Sequence, residues 1–194
     1  MRKPYVIGFM GYAGVGKTSA CHILKTLSPH EIEIASFASP LKKAVKDLFL
    51  FSDSQVYGTL EQKEEIDERW GISPRQALQI IGTDCLRNMI DNRFHVKRMS
   101  EYLQTCKSKI VLIDDIRFAD EAELVNQYGE CFQIQRPGYP KDDIRHASEY
   151  PPFYLTSVYY IRNQTDSIDG FSQQLLSNND YIVDIIREAL NETC

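Results

Sequence analysis

One octapeptide constrains this chain more than anything else in it: Gly11-Tyr12-Ala13-Gly14-Val15-Gly16-Lys17-Thr18. It satisfies G-x-x-x-x-G-K-[ST] at every fixed position, and its flanks supply the required context. Tyr5 to Met10 is a short apolar run that reads as a buried strand. Thr18 to Leu27 places Ala20, Ile23, Leu24 and Leu27 at helical spacing. Strand, glycine loop and helix in that order commit the chain to an α/β architecture whose first turn cradles a phosphate. The glycines let backbone N–H groups turn inward, and the helix N-terminus adds partial positive charge. The expected cradle is Gly11, Ala13, Gly14, Val15, Gly16, Lys17, Thr18 and Ser19. Lys17 would reach the β- and γ-phosphates, and the Thr18 hydroxyl would bind Mg²⁺.

Four further strands are expected at Glu31 to Phe37, Lys109 to Ile116, Glu130 to Gln135 and Ser157 to Arg162. Helices are expected at Asp120 to Tyr128, stopped by Gly129, and at Asp180 to Leu190. Ser73-Pro74 opens another, with Ser at the N-cap and Pro at the first helical position. Apolar runs alternating with helices predict a five-stranded parallel sheet covered on both faces. Two stretches interrupt the alternation. Residues 39–108 form a long, mostly helical insertion, and residues 136–155 a polar, proline-bearing connection of a length that is usually functional.

Composition narrows the class. A chain of 194 residues fits one domain with a sizeable core. A net charge of −5 argues against a surface built mainly for nucleic acid. No apolar run approaches the length of a membrane span. The five cysteines make no C-x-x-C pair and no metal spacing with the four histidines. An odd count without a secretory signal points to reduced thiols in a cytoplasm-like compartment.

The insertions indicate where a phosphoryl group would go. Transfer to an acceptor needs an acceptor pocket and a cover that excludes water. In SPRQALQIIGTDCLRNMI, Arg75, Gln79, Thr83 and Arg87 recur every four residues and form a drifting stripe on one side of a helix. Leu78, Ile81, Cys85 and Met89 would cover much of the rest. Gly82, costly within a helix, suggests close approach to the backbone, and Arg87 could clamp a phosphate bidentately. In IVLIDDIRF an apolar strand ends in acid, the Walker B arrangement. The generic pattern selects Asp114 for the metal. Neighbouring strand residues point to opposite faces, so Asp114 and Asp115 should differ in role. Arg117, Arg136 and Arg145 could stabilise charge on the acceptor or the transferring phosphoryl. His146 could bind the acceptor or order the loop.

These segments, in order, resemble the deoxynucleoside monophosphate kinases of phages and large DNA viruses. The resemblance runs through GYAGVGKT, SFASPLK (36–42), SPRQALQIIGTDCLR (73–87), IDDIRFADEAELV (113–125), IQRPG (134–138), HASE (146–149) and IRN (161–163). It implies a single P-loop kinase domain spanning the chain. Residues 39–108 would be its acceptor-binding insertion and 136–155 its lid. It further implies ATP as donor, Mg²⁺ and a deoxynucleoside monophosphate as acceptor; from charge and hydropathy, no nucleic-acid or membrane partner is expected. By motif, Asp115 rather than Asp114 falls on the family's acid, Arg117 on its arginine and Glu121 on a second acid. Ser36, Phe37 and Lys42 line the acceptor's entry, with Arg75, Gln79, Asp84 and Arg87 beyond. Arg136 opens the lid, His146 and Glu149 close it, and Asn163 lies near the donor base. Relatives of this kind are often dimers, which raises a homodimer that no motif reports. The stretch Phe51 to Trp70 matches nothing in the family pattern, and its acidic run Glu61 to Glu68 reads as a solvated helix face.

Three other readings stand beside this one. Asn163-Gln164-Thr165-Asp166 mimics the guanine-reading N-K-x-D of GTPases with Gln for Lys, but the chain has no D-x-x-G. A small-metabolite P-loop kinase, such as one acting on dephospho-coenzyme A or phosphomevalonate, would share the core and lid. A purely regulatory nucleotide-binding module would not need the acceptor-side arginines.

Overall fold

The computed structural model describes residues 3–139, 158–177 and 180–191. They divide into two compact units, one running to Ser36 and resuming at Met99, the other Phe37–Arg98.

The first unit holds β1 (Tyr5–Met10), β2 (Ile32–Ala35), β3 (Ile110–Ile116), β4 (Gly129–Gln135) and β5 (Val158–Arg162). All strand pairs are parallel, in the order β2-β3-β1-β4-β5. The near-continuous apolar runs of β1 and β3 follow from burial on both faces. Ile7, Phe9, Leu112 and Ile134 pack with Leu24 of helix α1 (Lys17–Lys25) in one closed core. Because β1 has its neighbours β3 and β4 on opposite sides, the loop leaving its carboxyl end lies at the switch point of the sheet, where ligands bind in such folds. None of the described helices is long and apolar enough to cross a membrane.

Several boundaries move from their expected places. β2 is shorter than Glu31 to Phe37, which leaves Ser36 just beyond the strand. Gly129 does not stop a helix. The helix between β3 and β4 runs Ala119–Asn126, and Gly129 opens β4. A Cβ on Gly129 would lie 2.1 Å from the Val6 carbonyl oxygen, so strand packing requires glycine there. A helix at Ile168–Ser177, absent from the sequence reading, precedes the last helix, Asp180–Asn191.

The second unit is helical. It holds α2 (Ser39–Phe49), α3 (Asp53–Tyr57), α4 (Leu60–Glu64), α5 (Pro74–Gln79) and a π-helical segment, Ile80–Ile90. Val45, Phe51, Val56 and Ala77 form its core. The expected insertion of residues 39–108 thus separates near Arg98 rather than at Ser108, part-way along α6 (Phe94–Thr105). Ser73 caps α5 as anticipated. Its hydroxyl accepts from Gln76 N, and its own N–H donates to Gln76 Oε1.

The acidic run is not one solvated face. Only Leu60–Glu64 is helical, Glu64 pairs with Arg75 at 3.0 Å, and Asp67 is buried. Arg69, then Gln55, bind the Asp67 carboxylate and hold its pKa well below the usual carboxylate range. A carboxyl depressed on folding contributes stability above its unfolded pKa and loses it as pH falls. Asp67→Asn should therefore lower the thermal midpoint at pH 7. The gap to wild type should narrow as pH drops below about 4, which melts across that range will show.

Candidate active site

The loop after β1 takes its shape from its glycines. Gly11, Gly14 and Gly16 have φ of 140°, 80° and 107°. At Gly11 a Cβ would also meet the Ile134 carbonyl oxygen at 2.5 Å, which is backbone and cannot yield. Gly16 caps α1 in the left-handed conformation, and Lys17 and Thr18 follow in the first turn. Ala20, Cys21, Ile23 and Leu24 bury the other side of that helix.

Lys17 Nζ donates to Gly11 O and Tyr12 O, each at 2.7 Å. Burial, and next the nearby Arg117 guanidinium, lower its pKa to about 8, against the opposing pull of Asp114 and Asp115. The ammonium is thus drawn into the concavity of the loop beside a second cation, where an anion would relieve both. The Thr18 hydroxyl donates to Asp114 Oδ2 at 2.6 Å, and the Ser36 hydroxyl donates to Asp115 Oδ2 at 2.7 Å. The two acids at the end of β3 therefore do separate, as strand alternation requires. Asp114, not Asp115, lies against the Thr18 hydroxyl. Arg117 follows in a turn held by Glu121, whose buried Oε2 accepts from Arg117 N and Phe118 N.

On the β4–β5 side of the loop lies a cavity of about 570 Å³, lined by Tyr12, Val15, Gln133, Arg136, Tyr139 and Gln164 among others. Arg136 Nη2 binds Asp166 Oδ1 at 3.0 Å, and its guanidinium lies 5.2 Å from the centre of the Tyr139 ring. That ring covers Gly14, where a Cβ would meet it at 2.6 Å. Arg136 thus forms part of the cavity wall. Asn163, expected near a base, has a different use. It is buried, its Nδ2 donates to Val15 O at 3.0 Å, and its Oδ1 accepts from Thr165 N and Oγ1. With both ends of its amide engaged, it braces the phosphate loop.

The helical unit carries Phe37, Lys42, Arg75, Gln79, Asp84 and Arg87. Phe37 is buried, Arg75 is paired with Glu64, and Asp84 is exposed. The stripe Arg75, Gln79, Thr83, Arg87 starts on α5 and crosses into the wider turns of the π segment. Met89 is 80% exposed and covers nothing there, contrary to the apolar face expected of it. What approaches Gly82 is the protein itself. A Cβ there would meet Leu41 Cδ2 at 2.4 Å, and His95 Nε2 lies 3.0 Å from Gly82 O. Arg145, His146 and Glu149, and most of the proposed lid, lie outside the described residues.

A hydroxyl and a carboxylate 2.6 Å apart suit a hard cation that prefers oxygen ligands, so Thr18 and Asp114 fit Mg²⁺. Among the described residues no three His, Cys, Asp or Glu side chains converge to hold a metal. That sparse set suits an ion that completes its shell with water and substrate phosphates. Sequence reasoning missed Tyr12, Gln133, Tyr139 and Gln164 in the cavity wall. The one local signal was polar Gln133 within the apolar run Cys131-Phe132-Gln133-Ile134.

A phosphate loop at the switch point of a parallel sheet, with an acid against its threonine, defines a P-loop α/β protein of the nucleotide-kinase type. The family described as "Deoxynucleotide monophosphate kinase" matches residues 14–174. A protein of Acanthamoeba polyphaga mimivirus, named "Putative deoxynucleotide monophosphate kinase", is 38% identical over 186 residues, covering 89% of this chain and 94% of its own. The chain belongs to the deoxynucleotide monophosphate kinase family. Among solved structures, a gluconokinase from Sinorhizobium meliloti 1021 aligns over 97% of this chain and 98% of its own, at 10% identity and a TM-score of 0.46. A shikimate kinase from Bacteroides thetaiotaomicron aligns over 91% of this chain and 98% of its own, at 13% identity and a TM-score of 0.47.

Proposed function

We propose that this protein transfers the γ-phosphoryl group of ATP to a deoxynucleoside monophosphate. The observation that carries the reading is the paired arrangement at the end of β3. Thr18 and Asp114 meet on the donor side, while Lys17 and Arg117 bring two cations to the loop. An acceptor phosphate oxygen attacks the γ-phosphorus, the bond to the β–γ bridging oxygen breaks, and ADP leaves as the deoxynucleoside diphosphate forms. A phosphate acceptor is already nucleophilic near neutrality, so alignment and charge stabilisation do the main catalytic task.

Lys17 exchanges its two loop carbonyls for donor phosphates. The β4–β5 cavity receives the donor base, with Tyr139 and Arg136 against its faces. Thr18 and Asp114 would hold Mg²⁺, which supplies charge neutralisation on the phosphate oxygens when bound. Asp115, fixed by Ser36, serves the opposite face, toward the acceptor. Arg117 neutralises the transferring phosphoryl. Arg87, with Ser36, Phe37, Lys42, Arg75, Gln79 and Asp84, is assigned to the acceptor, and Arg145, His146 and Glu149 to the lid, on motif grounds.

The test is ATP consumption with Mg²⁺ and, in turn, each deoxynucleoside and ribonucleoside monophosphate, dephospho-coenzyme A, or no acceptor. Turnover with at least one deoxynucleoside monophosphate, far above the acceptor-free rate, is expected. Turnover with dephospho-coenzyme A alone would keep the donor site and remove the acceptor assignment. ATP loss without an acceptor would make the protein an NTPase.

A further inference from the structure

Five polar or charged residues are buried among the described residues: Asp67, Ser73, Glu121, Gln133 and Asn163. Four have evident partners. Asp67 has Arg69 and Gln55, Ser73 caps α5, Glu121 holds the β3–α7 turn, where α7 is Ala119–Asn126, and Asn163 braces the loop. Gln133 is the exception. It is only 5% exposed, none of the hydrogen bonds among the described residues engages its side-chain amide, and the accessible surface its amide atoms keep opens onto the cavity. Gln133 lines the cavity beside the phosphate loop, opposite Met10 on β1 and Tyr160 on β5.

We propose that Gln133 hydrogen-bonds the edge of the donor base and makes this cavity selective for adenine. The inference rests on the reading that the cavity takes the donor base. A carboxamide offers one donor group and one acceptor side by side. Adenine presents a matching pair on both edges that carry its amino group, N6–H with N7 and N6–H with N1. Guanine offers two acceptors, O6 and N7, on one edge and a matching pair only on the other. Whichever edge the cavity admits, adenine can satisfy the amide, and guanine can do so in only one orientation. The arginine that could otherwise serve guanine's paired acceptors, Arg136, is engaged by Asp166. Gln135 and Gln164 also border the cavity but lie mostly in open solvent rather than against its wall.

The experiment compares kcat/KM for ATP, GTP and purine riboside triphosphate, which lacks the amino group, in wild type, Gln133→Leu and Tyr139→Ala, at fixed acceptor and Mg²⁺. Wild type should favour ATP over both alternatives by roughly ten- to hundredfold, the usual value of a bidentate amide–adenine pair. Gln133→Leu should erase most of that preference, leave the acceptor KM unchanged, and keep the thermal midpoint of the wild type or raise it. Should leucine lower the midpoint, Gln133→Met keeps the length of the side chain and carries the same expectation. Preserved ATP preference in the Gln133 variants, with donor kcat/KM lowered in Tyr139→Ala, would overturn the assignment of Gln133 while the base cavity stands. Unchanged donor constants in all variants would remove the cavity as the base site and the inference with it.

Discussion

Lys17→Met should lower kcat by at least about a thousandfold, the order lost when a single preorganised charge is removed from a reacting phosphoryl or oxyanion. Lys17 Nζ donates to Gly11 O and Tyr12 O. Methionine fills a similar volume but cannot neutralise phosphate. The loop itself should survive, since its shape comes from three glycines with positive φ and from the Asn163 amide on Val15 O. Burial and Arg117 disfavour the Lys17 charge, and relief of that cost offsets the two loop-carbonyl hydrogen bonds lost with the ammonium. Steady-state kinetics with a thermal melt will decide the point. A rate within tenfold of wild type, in a folded variant, would take the loop lysine out of the mechanism.

The second large effect separates the two neighbouring acids. Asp114→Asn should cost about a hundredfold or more in kcat and shift the Mg²⁺ requirement upward, because it removes the charge that faces the Thr18 hydroxyl. Asp115→Asn should leave the Mg²⁺ dependence near that of wild type and act on the acceptor instead, since its carboxylate is bound by Ser36. Titrating Mg²⁺ at saturating nucleotide in both variants distinguishes them. If the Mg²⁺ midpoint moved in Asp115→Asn and stayed fixed in Asp114→Asn, the roles assigned here would be reversed. The asymmetry follows from strand geometry: adjacent β residues address opposite faces, so two acids in a row cannot be interchangeable.

The same pair shows how far the sequence reaches. Alternation along β3 can be read directly from IVLIDDIRF, so the separation of Asp114 and Asp115 was predictable. Which of them meets Thr18 was not, because the generic pattern and the family motif pointed to different acids. That contact spans 96 positions in the chain and depends on β3 lying next to β1. Asn163 carried a misleading signal. It sits in a tetrapeptide that mimics a base-reading motif, yet burial beside Gly16 directs its amide to the loop backbone. Gly82 was correctly marked as a close approach. The approaching atom, Leu41 Cδ2, belongs to α2 and could not be named from a local window.

By itself the sequence determined what short-range chemistry dictates. The phosphate loop follows from glycine's access to positive φ, the parallel sheet from uninterrupted apolar runs, and the start of α5 from Ser73-Pro74. Within Ser73 to Ile90 the switch from α- to π-helical winding escaped it, because the two differ by one residue in hydrogen-bond span and share the same propensities. Only the tertiary structure decided which acid faces the loop threonine, where Arg136 rests, and that the mostly buried Gln133 lines the cavity. These depend on strand order and on the burial of one side chain by residues far away in the chain, and no local pattern encodes either.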